Sequence, residues 1–303
     1  MSLTKIFSQA DKHLEKMTVK TEKEIIKAYS ESLKSIRAQL ADVFARFGTD
    51  DSLDYSVMQK YNRLAHLEQE IISELRSLTG KNAKSLTTSL FDMFEESYLY
   101  TVYAVESEAQ IKLGMNRINR KIIEKAIQNP ITGLTLNDRL KKNRNDVIIN
   151  IRQQITQGLI QGESYQKMAR RIKSTLEGDV KKAMRVVQTE AHRVQQQGRL
   201  DPLDKFEEKG IKLAKVWVAT LDDRTRDSHQ DLDGQHADKD GFFELNGMTA
   251  EAPGMFGVAE EDINCRCTFR IEILDYAPEV RRARNQGIIP YTTYRDWKEN
   301  RVA

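Results

Sequence analysis

Apolar positions in the first third of the chain recur three and four residues apart. Leu33, Ile36, Leu40, Phe44 and Phe47 make one such run, and Gly48 follows it as a C-terminal stop. Tyr55, Met58, Tyr61, Ala65, Ile71, Leu75 and Leu78 repeat the pattern up to Gly80. Leu86, Leu90, Phe94, Tyr98, Val102, Val105 and Ala109 carry it on to Gly114. With no proline before Pro130, the spacing predicts three or four long amphipathic helices over residues 1–135. They would close on themselves as an antiparallel bundle, and their charged outer faces and exposed aromatics also suit docking on a partner.

Pro130 and Gly133 mark a turn. Helical spacing resumes through Val147, Ile151 and Ile155, pauses at GLIQGES and returns in YQKMARRIKSTLE. A further helix, DVKKAMRVVQTEAHRVQQQGR, is expected to open with Asp179 as its cap and to close at Gly198. Residues 136–204 thus read as a basic helical region. After Pro202 the period changes from helical to alternating. KLAKVWVATL, GFFEL and CTFRIEIL are dense in β-branched and aromatic residues and predict strands between Asp- and Gly-rich loops. The fold class expected is α+β: a long-helical N-terminal region, then a small α+β domain with a few short strands over 205–275. Residues 276–303 read as an extended, arginine-rich tail.

Composition narrows the function classes. The chain has 303 residues, 31% of them charged, and no stretch approaching the run of about 18 apolar residues that spans a bilayer. The N-terminus lacks the apolar core of a secretory signal, and two cysteines are too few for a disulfide framework. Both observations point to a reducing cytoplasm as the place of synthesis. The net charge of +3 is unevenly spread. Arg139 to Arg199 carries 14 Lys/Arg against 5 Asp/Glu, whereas Asp222 to Asp262 carries 12 Asp/Glu against 3 Lys/Arg. The basic run offers Lys167, Arg170, Arg171, Lys173, Lys181, Lys182 and Arg185 as candidate contacts to a phosphate backbone. It is not interleaved with aromatics, so base stacking is not expected. Two solvated faces that attract each other across the fold would explain the same asymmetry.

Both cysteines lie in one motif, INCRC. Along an extended strand, residues i and i+2 share a side, so Cys265 and Cys267 would present both sulfurs to one face and Arg266 to the other. A disulfide across so short a loop is strained. The acidic segment TLDDRTRDSHQDLDGQH supplies His229, on a short helix that Asp222 or Asp223 would cap. His229, Cys265 and Cys267 together are three soft or borderline donors of the kind zinc prefers, and one zinc ion is the candidate cofactor. A fourth ligand would be His236, His192, an acidic residue or water. The alternative is two cysteines buried as small apolar residues and a histidine hydrogen-bonded within the fold. No Walker loop, GxGxxG, HExxH or GxSxG is present. Glu190, in VVQTEAHR, reads as a solvated helical glutamate rather than a catalytic carboxylate.

The order and spacing of VVQTEAHR, VWVATLDDRTRDSHQDLDGQ, FFELNG and EAPGMFGVAEEDINCRCTF resemble the phage Mu F-like, or gp7-type, minor head (head morphogenesis) protein family. The likeness covers about 160–275 and includes Thr189, Glu190, Trp217, Asp223, Arg226, His229, Gly234, Pro253, Gly254, Asn264 and the two cysteines. It implies a minor capsid component of a tailed double-stranded DNA phage or prophage. Such a protein would be made in the host cytoplasm and sit inside the capsid near the portal. The partners implied are the portal protein, scaffold or major capsid protein, and the packaged double-stranded DNA, without a membrane. The role implied is in procapsid assembly and genome packaging or ejection, with the 1–135 helices docking on portal or scaffold. Some relatives carry the domain ahead of a toxin effector, which the 36 residues after Cys267 are not expected to hold. Two other readings follow from the residues. One is a metal-dependent hydrolase or nuclease using His229, Cys265, Cys267 and Asp223 or Asp227; the other is a plain DNA-binding protein.

Overall fold

The computed structural model describes residues 3–109, 118–220, 222–274, 280–283 and 287–290. Its frame is two very long helices. Helix α1 spans Leu3–Phe47 and α3 spans Arg63–Ala109, 45 and 47 residues respectively. At about 1.5 Å per residue each is a rod of about 70 Å. Ile25, Tyr29, Ile36, Leu40 and Phe44 of α1 bury against Leu67, Ile71, Leu75, Leu78, Leu86 and Leu90 of α3 and its neighbours. The link between the rods contains α2, Tyr55–Gln59, capped by the Asp54 carboxylate, which accepts from Ser56 N at 2.6 Å. A 3₁₀ turn at Lys60–Asn62 follows, with Tyr61 and Asn62 both in left-handed conformation.

Helix α4, Arg120–Gln128, opens on the Asn119 cap. Helix α5, Leu136–Ile160, opens on a reciprocal capping box between Thr135 and Asp138. Helix α6, Tyr165–Leu200, is capped by Ser164 and packs on α1, α3 and α5, and α7, Leu203–Glu208, follows it. No described helix is long and apolar enough to cross a membrane.

Gly80, Asp179 and Gly198 read differently in the structure than in the sequence. Gly80 was expected to stop a helix, but α3 runs through it because Leu75, Leu78 and Leu86 on either side keep burying. Gly178 and Asp179 likewise lie inside a continuous α6. Asp179 is not a cap: its buried carboxylate accepts from the Tyr29 hydroxyl at 2.5 Å, and burial raises its pKa. Gly198 lies within the last turns of α6, where the helix meets α3 closely. Gly114 and most of the 276–303 tail lie outside the described residues.

The C-terminal part is a small α+β unit. Strand β1, Leu213–Val218, pairs antiparallel with β4, Thr268–Ile273, from Leu213↔Ile273 to Val218↔Thr268. Helix α8 is Asp227–Asp231, and α9 is Ala259–Asp262. Strands β2, Phe243–Leu245, and β3, Met248–Ala250, form a hairpin over Asn246-Gly247, both at positive φ as a type I′ turn requires. Strands β5, Val280–Ala283, and β6, Gly287–Pro290, pair with each other.

The glycines of α6 make a paired test. A Cβ at Gly198 would stand 2.6 Å from the Phe94 carbonyl oxygen and 3.0 Å from Ser97 Cβ, whereas one at Gly178 would meet nothing within 4 Å. Gly178→Ala should stabilise the chain by up to about 1 kcal/mol through helix propensity. Gly198→Ala should instead destabilise it by about 1–3 kcal/mol, since backbone must move. Urea unfolding of both variants decides the matter, and a Gly198→Ala protein as stable as wild type would refute the close approach.

Candidate functional site

The site is assembled on Trp217 of β1. This ring is fully buried and meets Phe243 and His229 edge-to-face at 5.2 and 5.6 Å between centroids. The strand leaves β1 into a loop fixed by its own polar groups. Ala219 N donates to Asp233 Oδ1 at 2.8 Å, and Gly234 N to the Trp217 carbonyl at 2.9 Å. Asp222 or Asp223 was expected to cap α8, but Asp222 accepts from Arg224 N at 3.0 Å and pairs with the Arg266 guanidinium. That pairing holds the Asp222 carboxyl well below the ordinary carboxylate range. No side chain caps α8, and its single turn presents His229 inward, 1% exposed.

The cysteines arrive from the other side. Asp262 ends α9, and its buried carboxylate accepts from Phe256 N at 2.8 Å and Gly257 N at 2.7 Å. Asn264 then takes a left-handed conformation at φ 58°, which an Asn tolerates, and turns the chain into the approach to β4. Cys265 and Cys267 are both free thiols and both buried, as the alternation along an extended segment predicts. Their sulfurs lie 3.8 and 3.4 Å from the same atom, His229 Nδ1. On the opposite edge of the ring, Glu261 Oε2 stands 2.8 Å from Nε2. It lies off the N–H axis, so Nε2 makes no linear hydrogen bond. Contact with Cys265, ahead of the effect of His229, pulls the Cys267 thiol down. The same contact and then burial push Cys265 up, so the pair favours one thiolate beside one thiol.

Of the residues expected at this site, the structure brings together His229, Cys265 and Cys267, which form the one His/Cys/Asp/Glu cluster of metal-ligand spacing among the described residues. His236 is exposed and turns to Glu272 at 3.3 Å. His192 packs under the cysteines, but its Nε2 is committed to the Cys267 carbonyl oxygen at 2.6 Å, and burial lowers its pKa. Asp223 and Asp227 are exposed and outside the cluster. Glu261 was not singled out in the sequence, and its only signal was a place four residues before Cys265. Two cavities, of about 20 and 510 Å³, lie elsewhere, and neither is lined by the three side chains.

Glu190 departs most from expectation. It is fully buried rather than solvated, and its two oxygens are taken by Arg139 of α5 and by Arg193, the latter at 2.6 Å. The basic candidates on α6 divide in two. Lys167 and Arg171 both pair with Glu163, at 2.8 and 2.6 Å, and Lys173 pairs with Glu177 at 3.5 Å. Arg170, Lys181, Lys182 and Arg185 are exposed and form no ion pair among the described residues.

Residues 149–270 match the family described as Phage Mu protein F like protein. The chain is 32% identical over 301 residues to the minor head protein GP7 of Bacillus phage SPP1, covering 97% of each. It is 34% identical over 284 residues to a protein of Enterococcus faecalis named as an NAD(+)--arginine ADP-ribosyltransferase, covering 93% of this chain and 58% of that one. No solved structure matches the chain.

Removing the Glu190 carboxylate would strand two buried guanidinium groups. Glu190→Ala should therefore cost about 3–5 kcal/mol of folding free energy. Glu190→Gln, which keeps a hydrogen-bond acceptor, should cost less. Denaturant midpoints read both, and an alanine variant within experimental error of wild type would show that the arginines find other partners.

Proposed function

The chain belongs to the phage Mu protein F-like family of minor head proteins, and from that membership we propose that it docks on the portal during procapsid assembly and acts in genome packaging or ejection. The role in head morphogenesis and the place in the virion follow from the family. The observation that carries the finer reading is the end-to-end match, 97% of both chains, with a minor head protein. A structural rather than catalytic role is read from the same family membership. The name of the enterococcal relative describes a protein of which this chain spans 58%.

The bundle offers a surface for such docking. Phe44 packs edge-on to Tyr165 at 5.8 Å, and Arg152 of α5 pairs with Glu68 of α3 at 2.9 Å. The α1–α3 link and the α5–α6 link therefore lie at one end of the bundle. That end exposes Ile160 at 65% and Tyr61 at 83%, the latter covered on one face only by the Arg63 guanidinium at 5.2 Å. Contact with packaged DNA falls to Arg170, Lys181 and Arg185. These lie on one stripe of α6, three turns and then one turn apart, with Lys182 beside them.

Expressed with its phage's portal protein, the chain should migrate with the portal oligomer on a gradient. Tyr61→Ser combined with Ile160→Ser should release it without lowering its melting temperature. A chain that stays free beside an intact portal oligomer would rule out the docking. For DNA, Lys181→Ala, Lys182→Ala and Arg185→Ala together should weaken binding and lower the slope of log affinity against log salt by up to about 3. An unchanged slope would remove α6 from the DNA contact.

A further inference from the structure

We propose that His229, Cys265 and Cys267 bind one zinc ion, with Glu261 as the residue that positions the His229 ring. This inference stands apart from the portal reading and would survive its failure. The first argument is distance. A tetrahedral zinc bonded to sulfur at about 2.3 Å and to imidazole nitrogen at about 2.0–2.1 Å separates the two donors by about 3.6 Å. The observed separations from Nδ1 are 3.8 Å to Cys265 and 3.4 Å to Cys267, one on either side of that figure. A hydrogen bond does not explain both, because Nδ1 has one in-plane direction for a proton or a lone pair, and two sulfurs flank it. A common point between the three atoms satisfies all of them.

The second argument is the ring's other edge. His229 is 1% exposed, and the group beside Nε2 is the Glu261 carboxylate at 2.8 Å, itself largely buried. Off the N–H axis it makes no linear hydrogen bond, but its negative charge beside Nε2 favours the ring proton there and leaves the Nδ1 lone pair to the sulfurs, the tautomer a metal needs. Glu261 and the cysteines come from α9 and the segment after it, four residues apart, while His229 comes from α8. An ion would therefore add a direct link between two segments that otherwise meet through hydrogen bonds such as Arg226 to the Ile263 carbonyl at 2.6 Å and Ser228 to Glu261 at 3.2 Å.

The third argument is the donor set. Two thiols and an imidazole select a borderline-soft divalent ion over magnesium or calcium. His192 and His236 are committed elsewhere, at the Cys267 carbonyl and at Glu272, so among the described residues the chain supplies three ligands. The fourth place falls to solvent. With all three donors buried beneath Trp217, an ion there would clamp the fold, and its solvent-held fourth place is the open position that catalytic zinc sites also keep.

The test uses the full chain, purified and dialysed against zinc and, separately, against cobalt(II). Elemental analysis should find one zinc per chain. The cobalt form should show the intense visible bands of a tetrahedral ion and near-ultraviolet thiolate-to-cobalt charge transfer. Cys265→Ser and Cys267→Ser should each reduce that charge-transfer band. If those variants fail to fold, Glu261→Gln, close to isosteric, should keep the fold and weaken cobalt binding by about 10–100-fold. A wild-type chain that takes up no metal, or a cobalt spectrum without thiolate bands, would overturn the site. A Glu261→Gln protein that binds cobalt as tightly as wild type would overturn the positioning role.

Discussion

Everything in the C-terminal half rests on the last four turns of α6, a helix with almost no solvent-facing side there. Between Val186 and Arg199 only Gln188 is exposed. A buried helix surface is usually apolar, but this one carries Thr189, Glu190, Arg193, Gln196 and Arg199, all buried. Each polar group lost water on folding, so each must be repaid by a partner, and the partners come from distant parts of the chain. Arg199 holds Asp11 of α1, the Thr268 hydroxyl and the Phe269 carbonyl. Thr189 Oγ1 accepts from Asn264 N at 3.3 Å, and Arg193 reaches the Ile127 carbonyl at 3.3 Å. One helix thereby fixes the bundle, α4 and the leading edge of β4 in a single geometry, and directional bonds set that geometry more sharply than apolar packing could.

The family signature acquires a physical meaning in this frame. Gly254 has φ 81°, and a Cβ there would stand 2.8 Å from His192 Nδ1, so the loop carrying it can lie on α6 only as glycine. Asn264 makes the left-handed turn that points both cysteines inward. Trp217 fills the space between β2, α8 and the 253–258 loop. These residues describe a surface that must fit α6, and they need no catalytic reading to explain them.

The sequence disclosed some of this and hid the rest, for identifiable reasons. Apolar spacing located the long helices because their burial is one-sided, and strand composition located β1, β2 and β4. Alternation placed both sulfurs on one side. Reading failed at Gly80 and Asp179, where local propensity argues for a break. A glycine inside a helix costs about 1 kcal/mol, and burial of the flanking leucines outweighs that many times over. Glu190 was misread for a different reason. A glutamate on a basic helix looks solvated, and nothing near it in sequence reveals Arg139, 51 residues away, closing over it. The charge run misled in the same way. Arg139, Arg193 and Arg199 all turn inward to acidic partners, so the exposed basic surface of α6 is smaller than the 14 basic residues of the run suggest.

The small domain also shows why its stability cannot be its own. Its sheets are pairs of strands, six residues each in one and three each in another. A two-stranded ribbon is at best marginal in water, and two helices of four and five residues add little. What remains is the aromatic cluster around Trp217, the buried side of α6 and whatever joins α8 to the cysteine segment. The Asp222–Arg266 pair bridges the same two segments, but it lies at the surface, where water screens it. Hydrogen bonds from Arg226 to the Ile263 carbonyl at 2.6 Å and from Thr220 to the Arg266 carbonyl at 2.8 Å hold the same junction. His229, Cys265 and Cys267 meet at that junction, and with so few strands and such short helices to hold the unit, a bond among them would add to those hydrogen bonds where the domain has little else of its own.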